Sequence, residues 1–401
     1  MSPDLRILAV NCGASSVRIA LFGLGAGERA LLSARCEGIG LGQGRCLVKD
    51  ESGSVLFESA FSLPDLESAV RRILDCIEAH ASGGAIDGVG HRITNGGARF
   101  DGPVVMTAAV EEELAGLPQP GPGPHAPELR AVRVLRERFP LLPHAGCFDS
   151  AFHRQMPAVA QLHPLPRELC DQGILRFGFH GLSCESLLDQ LARDAGGGAQ
   201  GRIVIAHLGC SASMTAIQGG RSADTTMGFA PNGGLMMGTR SGDLCPGVLL
   251  HLLRAKRLSV DEVSSIVNCQ SGLLGVSGVS RDMKELLKVS ATNPGAARAI
   301  ELFCYTARKH LGSMAAVLGG LDTLVFTGGI GENAPAVRRG ICEQTQFLGI
   351  RLDPVRNRQN GPVISGDDSR VAVRVMASNE ELMIARQTGR LVRRAAETPR
   401  A

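Results

Sequence analysis

Apolar positions in this chain fall into two patterns, short continuous runs and longer stretches at helical spacing. LRILAV at residues 5 to 10 and GRIVIAHLG at residues 201 to 209 are continuous runs, and both predict buried strands. Each runs into small polar residues. Asn11-Cys12-Gly13-Ala14-Ser15-Ser16 follows the first, ahead of a second strand, VRIALFGL. Ser211, Ala212, Ser213 and Thr215 follow the second, ahead of a Gly219-Gly220 turn. Strand, small polar turn, strand thus occurs twice. Either turn alone reads as an ordinary hairpin; the pair points to an internal duplication with two phosphate-facing hairpins, because exposed backbone N–H groups stabilise anionic oxygens.

Helical spacing marks residues 64 to 81, 246 to 268 and roughly 293 to 320. IDGVGHRITNGG predicts a short strand ending in a Gly-Gly turn, and AGCFDSAFH a strand ending at Asp149. LDTLVFTGGIGENAPAVRRGI predicts a strand, a Gly-rich turn from Gly328 to Asn333, then a helix. VAVRVMASNEELMIARQTGRLVRRAA closes the chain as a strand and a helix, with Glu380 and Glu381 in its first turn.

Composition refines this picture mainly by exclusion. At 401 residues, two domains are expected. The 51 glycines are scattered, which removes collagen-like and low-complexity readings. A net charge of +3, no Trp, one Tyr and no basic run predict no nucleic-acid surface. No run of 18 apolar residues occurs, so no membrane span is expected, and ILAV is too short for a signal peptide. The 12 cysteines form no Cys-x-x-Cys pair and read as reduced, buried thiols of a cytoplasmic protein.

Several polar residues stand where ligand chemistry is expected. Arg92 and Asp149 sit at strand ends, where clefts form in α/β sheets. His125 ends a stiff Pro-rich approach to a helix start, a position that favours anions. His180 lies between two glycines after Phe179. Arg240, in MMGTRSGD, reads as a buried arginine downstream of Asp224. The glycines of 328 to 333 let a base or ribose lie against the backbone. A literal Gly-x-Gly-x-x-Gly from Gly196 to Gly201 precedes a strand and reads as a surface loop.

NCGASS, GHRITNGG, FDSAFH, RFGFHG, HLGCSAS, DTTMGF, GLMMGTRSGD, SGLLGVSG, FTGGIGEN and SNEELMIA, in this order over nearly the whole chain, resemble the acetate kinase family of acyl-carboxylate kinases. The resemblance implies an α/β fold of two duplicated ribonuclease H-like (actin-like ATPase) βββαβαβα domains around a central nucleotide cleft. The first would comprise residues 1–149 plus 386–401 and the second, carrying the nucleotide loops, residues 150–385. It implies reversible transfer of the ATP γ-phosphoryl group to acetate or another short-chain carboxylate, giving acyl phosphate and ADP. Arg92 and Arg240 would hold carboxylate and phosphoryl, His180 would stabilise the transition state, His125 would contact the same oxygens, and Asp149 would be the essential acid. Thr94, Pro124, Phe179 and Pro231 would wall the acyl pocket. Asn11 and Glu380 match the positions for Mg²⁺ (or Mn²⁺). Arg18, His207, Leu208, Gly209, Cys210, Ser211, Asp282, Met283, Lys284, Gly329, Ile330, Gly331, Glu332 and Asn333 match the ATP-binding positions. A homodimer is implied.

The chemistry is consistent with those roles. A carboxylate acceptor, with a pKa of about 4.3 for a Glu-like group, is already ionised at neutral pH and needs no general base. It needs cancellation of anion–anion repulsion and in-line placement. An orienting role for Asp149, toward Arg92 or a metal-bound water, is therefore expected.

The chain departs from the family pattern at clustered positions: Ala14, Arg18, Asn95, Ala126, Cys184, Cys210, Ser211, Cys245 and Lys284. Cysteine at 210 replaces an amide by a weak donor, and a Cβ at 211 restricts the turn. Weaker nucleotide affinity or another phosphoryl donor, such as pyrophosphate, is expected from these changes. Three readings follow: an acetate kinase; a propionate- or butyrate-type kinase or one with a different donor; and a degenerate nucleotide-binding regulatory protein.

Overall fold

The structure, a computed structural model, describes residues 4–397 except 14–15, 26, 41, 81–83, 118–124 and 195–197. It divides into two compact units, one comprising Met1–Ala151 with Asn379–Ala401, the other Phe152–Ser378.

The first unit is built on eight strands: β1 (Leu5–Cys12), β2 (Ser16–Leu24), β3 (Arg29–Glu37), β4 (Gly44–Asp50), β5 (Val55–Phe61), β6 (Gly88–Ile93), β7 (Val104–Val105) and β8 (His144–Phe148). Their order is β5-β4-β3-β2-β1-β6-β8-β7. β1 to β5 form an antiparallel meander, and β1, β6 and β8 run parallel. Leu8, Val10, Val17, Ile19 and Leu32 pack against Ala69, Ile73 and Ile77 of the helix Leu66–His80. The C-terminal helix Glu380–Glu397 packs on β1, β2, β6 and β8. Its approach to β6 requires glycine at 90, since a Cβ there would lie 2.2 Å from Thr388 Oγ1 and 2.6 Å from Ile384 Cγ2.

The second unit has five strands: β9 (Arg202–Leu208), β10 (Ala212–Gln218), β11 (Arg221–Thr225), β12 (Thr323–Thr327) and β13 (Ala372–Val375), in the order β11-β10-β9-β12-β13. Both faces are covered, which is why β9 reads as a continuous apolar run. Ile203 and Ile205 meet Leu187 and Leu191 of the helix Gly181–Arg193, while Val204, Ala206 and Leu208 share a cluster with Phe303, Ala307 and Leu311 of the helix Pro294–Val317. Three antiparallel strands followed by two parallel ones recur as β3-β2-β1-β6-β8 and β11-β10-β9-β12-β13. The repeated hairpin of the sequence thus belongs to a repeated sheet.

Three sequence expectations are corrected. Gly328–Asn333 is a short helix rather than a Gly-rich loop. Gly328 turns the chain out of β12 at φ +77°, and Glu332 Oε1 accepts a hydrogen bond from its N–H at 2.9 Å, so the glycines are drawn into helical turns. The thiols are not uniformly reduced and buried. Cys36 and Cys46 face each other in the β3–β4 register and form a disulfide, while Cys210, Cys245 and Cys269 are exposed. Arg240 is only half-buried; among the described residues the fully buried arginine is Arg338.

A buried histidine pair ties β6 to β8. His144 Nε2 donates to Phe139 O (3.2 Å), so its Nδ1 accepts from His91 Nε2 (2.9 Å), and His91 Nδ1 has no partner among the described residues. Burial, with Arg136 nearby, holds both imidazoles below their ordinary value of 6.5. Glu111, paired with Arg136, only partly offsets this at His144. Depressed folded values mean that stability is present above pH 6.5 and lost as pH falls below it, by up to about 1.4 kcal/mol per pH unit for each imidazole kept neutral. Urea unfolding followed from pH 7.5 down to about 5.5 is expected to show this loss, and His91→Phe is expected to flatten it.

Candidate active site

In the first unit, parallel pairing of β6 and β8 brings two chemically important side chains together. Arg92, next to last in β6, donates from Nε to Asp149 Oδ2 (3.0 Å) and closely from Nη2 to the same oxygen. Asp149 follows β8, its N–H bonded to Ile93 O at 3.0 Å, and its Oδ1 is buried without a partner among the described residues. Burial alone would lower the Arg92 guanidinium, but Asp149, Glu380 and Glu128 together hold it above its usual range.

Asn11, near the end of β1, donates from Nδ2 to Glu380 Oε2 (3.0 Å) and Glu381 Oε1 (3.2 Å). Loss of hydration, then the charge of Asp149, pushes the Glu380 carboxyl up to about 7, against the pull of Arg92. Arg18 on β2 lies 3.9 Å from Glu381. Thr94 gives its N–H to both oxygens of Glu128 (3.1 and 3.0 Å) and its hydroxyl to Oε1. Glu128 is buried and lies 4.0 Å from Arg92 Nη1. Asn95 caps the Gly-Gly turn through Gly97 N–H at 2.9 Å. His125 opens the helix His125–Arg138, and Pro124 lies outside the described residues.

In the second unit, His180 adopts a left-handed backbone (φ 62°) at the start of the helix Gly181–Arg193, an uncommon conformation for a non-glycine residue. Its ring stacks on His207 with centroids 4.1 Å apart and an interplanar angle of 15°. Serines hold both rings: His180 Nδ1 is 2.8 Å from Ser213 Oγ, and His207 Nδ1 is 2.9 Å from Ser183 Oγ. Phe179 is buried beside them in sequence.

The hairpin after β9 is tight, with Gly209 N–H bonded to Ser211 O at 2.9 Å. Arg240 Nη1 donates to Ser211 Oγ (3.1 Å) and Pro231 O (2.9 Å). The substituted Ser211 is therefore a direct anchor of Arg240. Cys210 O accepts from Gly238 N–H at 3.1 Å, and a Cβ on Gly238 would lie 3.2 Å from Arg281 O. Asp282 caps the next helix through Lys284 N–H at 2.7 Å, and Met283 is buried. A Cβ on Gly328 would lie 2.7 Å from Leu208 O, and one on Gly209 would lie 4.0 Å from Gly329 N. Segments 207–211, 238–240, 281–284 and 328–333 therefore converge within this unit.

The helix carrying Gly329, Ile330, Gly331, Glu332 and Asn333 is clamped from behind by Arg338. Nη1 donates to Gly331 O (2.8 Å) and Glu332 O (2.9 Å); the remaining nitrogens bond Asn357 and Asn360. Burial pulls its guanidinium down to about 10, still charged at neutral pH. Sequence reading missed Arg338 and Glu128. The available signals were an arginine inside the apolar stripe Val337–Ile341 and an acid in the first helical turn beyond His125.

The repeated five-strand arrangement, with ligand-type residues at strand ends and hairpins, defines the actin-like ATPase fold. The Acetokinase family profile matches residues 6–386, and the chain belongs to this family. It is 43% identical over 395 residues to an acetate kinase of Rhodopseudomonas palustris, covering 96% of this chain and 98% of that protein. The crystal structure of Porphyromonas gingivalis acetate kinase is similar with a TM-score of 0.83 at 35% identity, covering 97% and 100% of the two chains. A propionate kinase from Francisella tularensis is similar with a TM-score of 0.86 at 32% identity, covering 96% and 99%.

Removing Arg338 would leave several buried acceptors unpaired behind the glycine helix. Arg338→Ala is expected to cost about 3 kcal/mol or more in urea unfolding. Arg338→Lys is expected to recover only part, because an ammonium lacks the planar fork.

Proposed function

We propose that this protein is an acetate kinase, transferring the γ-phosphoryl group of ATP reversibly and in line to acetate or a similarly short carboxylate. The observation that carries the reading is the pairing of Arg92 with the fully buried Asp149 at the ends of β6 and β8. A carboxylate oxygen already engaged with a guanidinium is suited to aim that guanidinium, and an ionised acceptor has no proton to give up. Asp149 therefore orients Arg92, and Arg92 holds the acceptor carboxylate. Arg240, anchored by Ser211 and Pro231, neutralises the transferring phosphoryl. His180, fixed by Ser213 and stacked on His207, is assigned to stabilising the transition state, and His125 to contacting the same oxygens. The convergent segments 207–211, 282–284 and 329–333 hold the nucleotide. Thr94, Phe179 and Pro231 are assigned to the acyl pocket.

Among the described residues no group of three or more His, Cys, Asp or Glu side chains is arranged as a metal centre. The donor chemistry nevertheless fits a hard divalent cation. Asp149 Oδ1 is buried and unpartnered among the described residues, and burial, with the charges of Asp149 and Glu381, raises the Glu380 carboxyl to about 7. Asn11 and Glu380 would hold Mg²⁺, which when bound supplies charge neutralisation for the phosphates. The expected homodimer is supported by the helix Pro246–Arg254, which buries none of its residues and leaves Val248 and Leu250 exposed.

Hydroxamate detection of acyl phosphate tests the function, with acetate, propionate and butyrate as acceptors and ATP or pyrophosphate as donor. Turnover is expected with ATP and the shorter acids. Arg92→Ala and Arg240→Ala are each expected to lose on the order of 10³-fold in rate. Silence with every pair of substrates would favour the degenerate binding protein.

Glu380 gives an independent test. Mg²⁺ affinity measured by calorimetry is expected to rise as pH passes through about 7, where its carboxyl ionises. A carboxyl with a raised folded value costs stability as pH climbs through that value. Glu380→Gln is therefore expected to raise the unfolding midpoint at pH 8 while removing the pH dependence of Mg²⁺ binding.

A further inference from the structure

The first unit holds a cavity of about 330 Å³, floored by Ala20, Phe22 and Ser33 and rimmed by Arg18, Arg35 and Lys49, with Asn379 and the carboxylate of Glu381 also in its wall. Strand register explains why the basic groups gather there. Arg18 is directly opposite Arg35 in the β2–β3 pair. Arg35 is opposite Leu47 in the β3–β4 pair, so Lys49, two residues further along β4, points to the same face. Like charges directly opposite one another destabilise a sheet.

The neighbouring acids do little to relieve this. Arg18 reaches Glu381 only at 3.9 Å and Arg35 reaches Glu37 at 3.7 Å, with arginine side chains 62% and 51% exposed. Exposed pairs of this kind contribute about 0–1 kcal/mol. Lys49 makes no ion pair among the described residues. Three cations against one carboxylate, Glu381, around a concave, partly apolar floor leave an excess of positive charge that suits negative charge carried on a compact body.

We propose that this cavity binds a small polyanion, phosphoryl or carboxylate, as a site separate from the one that transfers phosphate. The apolar floor favours a ligand with a hydrophobic portion over a bare inorganic anion. The cavity is large enough for a phosphorylated or polycarboxylate metabolite of modest size.

Isothermal titration of the full chain with phenyl phosphate, pyrophosphate and tricarballylate tests the proposal. Saturable binding of at least one probe is expected, weakening roughly tenfold or more as salt is raised, as ion pairing at an open site requires. The double variant Arg35→Glu/Lys49→Glu is expected to lose at least roughly tenfold in affinity through charge reversal. Ser33→Phe, which leaves the charge alone and fills the floor, is expected to abolish binding. Unfolding midpoints near that of the parent protein show that both variants fold, whatever their kinase activity. Preference for phenyl phosphate or for tricarballylate identifies the head group. No saturable heat with any probe, or affinity unchanged in both variants, overturns the proposal.

Discussion

Buried negative charge is the constraint on which the first unit depends. Asp149 and Glu128 are withdrawn from water, Glu380 is nearly so, and a single guanidinium, Arg92, stands among them. Breaking such a pair leaves an uncompensated buried charge, which costs far more than the pair itself contributes. The geometry is correspondingly overdetermined. Two parallel strands deliver Arg92 and Asp149, the helix His125–Arg138 delivers Glu128, and the last helix delivers Glu380. Asn11 at the end of a third strand fixes Glu380 in turn. The resulting excess of carboxylate oxygen is consistent with the divalent cation proposed above.

The second unit works mainly through neutral groups. Its histidines are oriented by serine hydroxyls, its glycine helix is held by carbonyl contacts to Arg338, and Arg240 rests on a hydroxyl and a carbonyl. Ser211 shows how a departure from a family pattern can be absorbed. The added side chain restricts the turn, yet its hydroxyl becomes an anchor of Arg240.

Much of this was legible in the chain. Both hairpins, the strands ending at Arg92 and Asp149, and the last helix with its glutamates follow from apolar runs and turn residues. The duplication was visible only as two similar hairpins; the parallel strands that complete each copy lie far apart in sequence. Gly328–Asn333 was misread because a six-residue segment with three glycines carries no periodicity, and it is held by Glu332 and by Arg338 of the following helix. The cross-strand disulfide was invisible because Cys36 and Cys46 become neighbours only once β3 and β4 are in register. Glu128 was missed because an acid in a first helical turn usually answers the helix dipole.

The last helix lies on β1 and β6, and glycine at 90 exists to receive it. The first unit is therefore closed by the final residues of the chain. On the ribosome its sheet emerges early but keeps one apolar face uncovered while more than two hundred further residues, the whole of the second unit, are made. At elongation rates of about 5–20 residues per second, that exposure lasts on the order of ten seconds or longer. The second unit is continuous in sequence and can complete itself sooner. The nascent chain thus finishes its second half before its first, and a premature stop anywhere ahead of residue 379 leaves an open sheet prone to association.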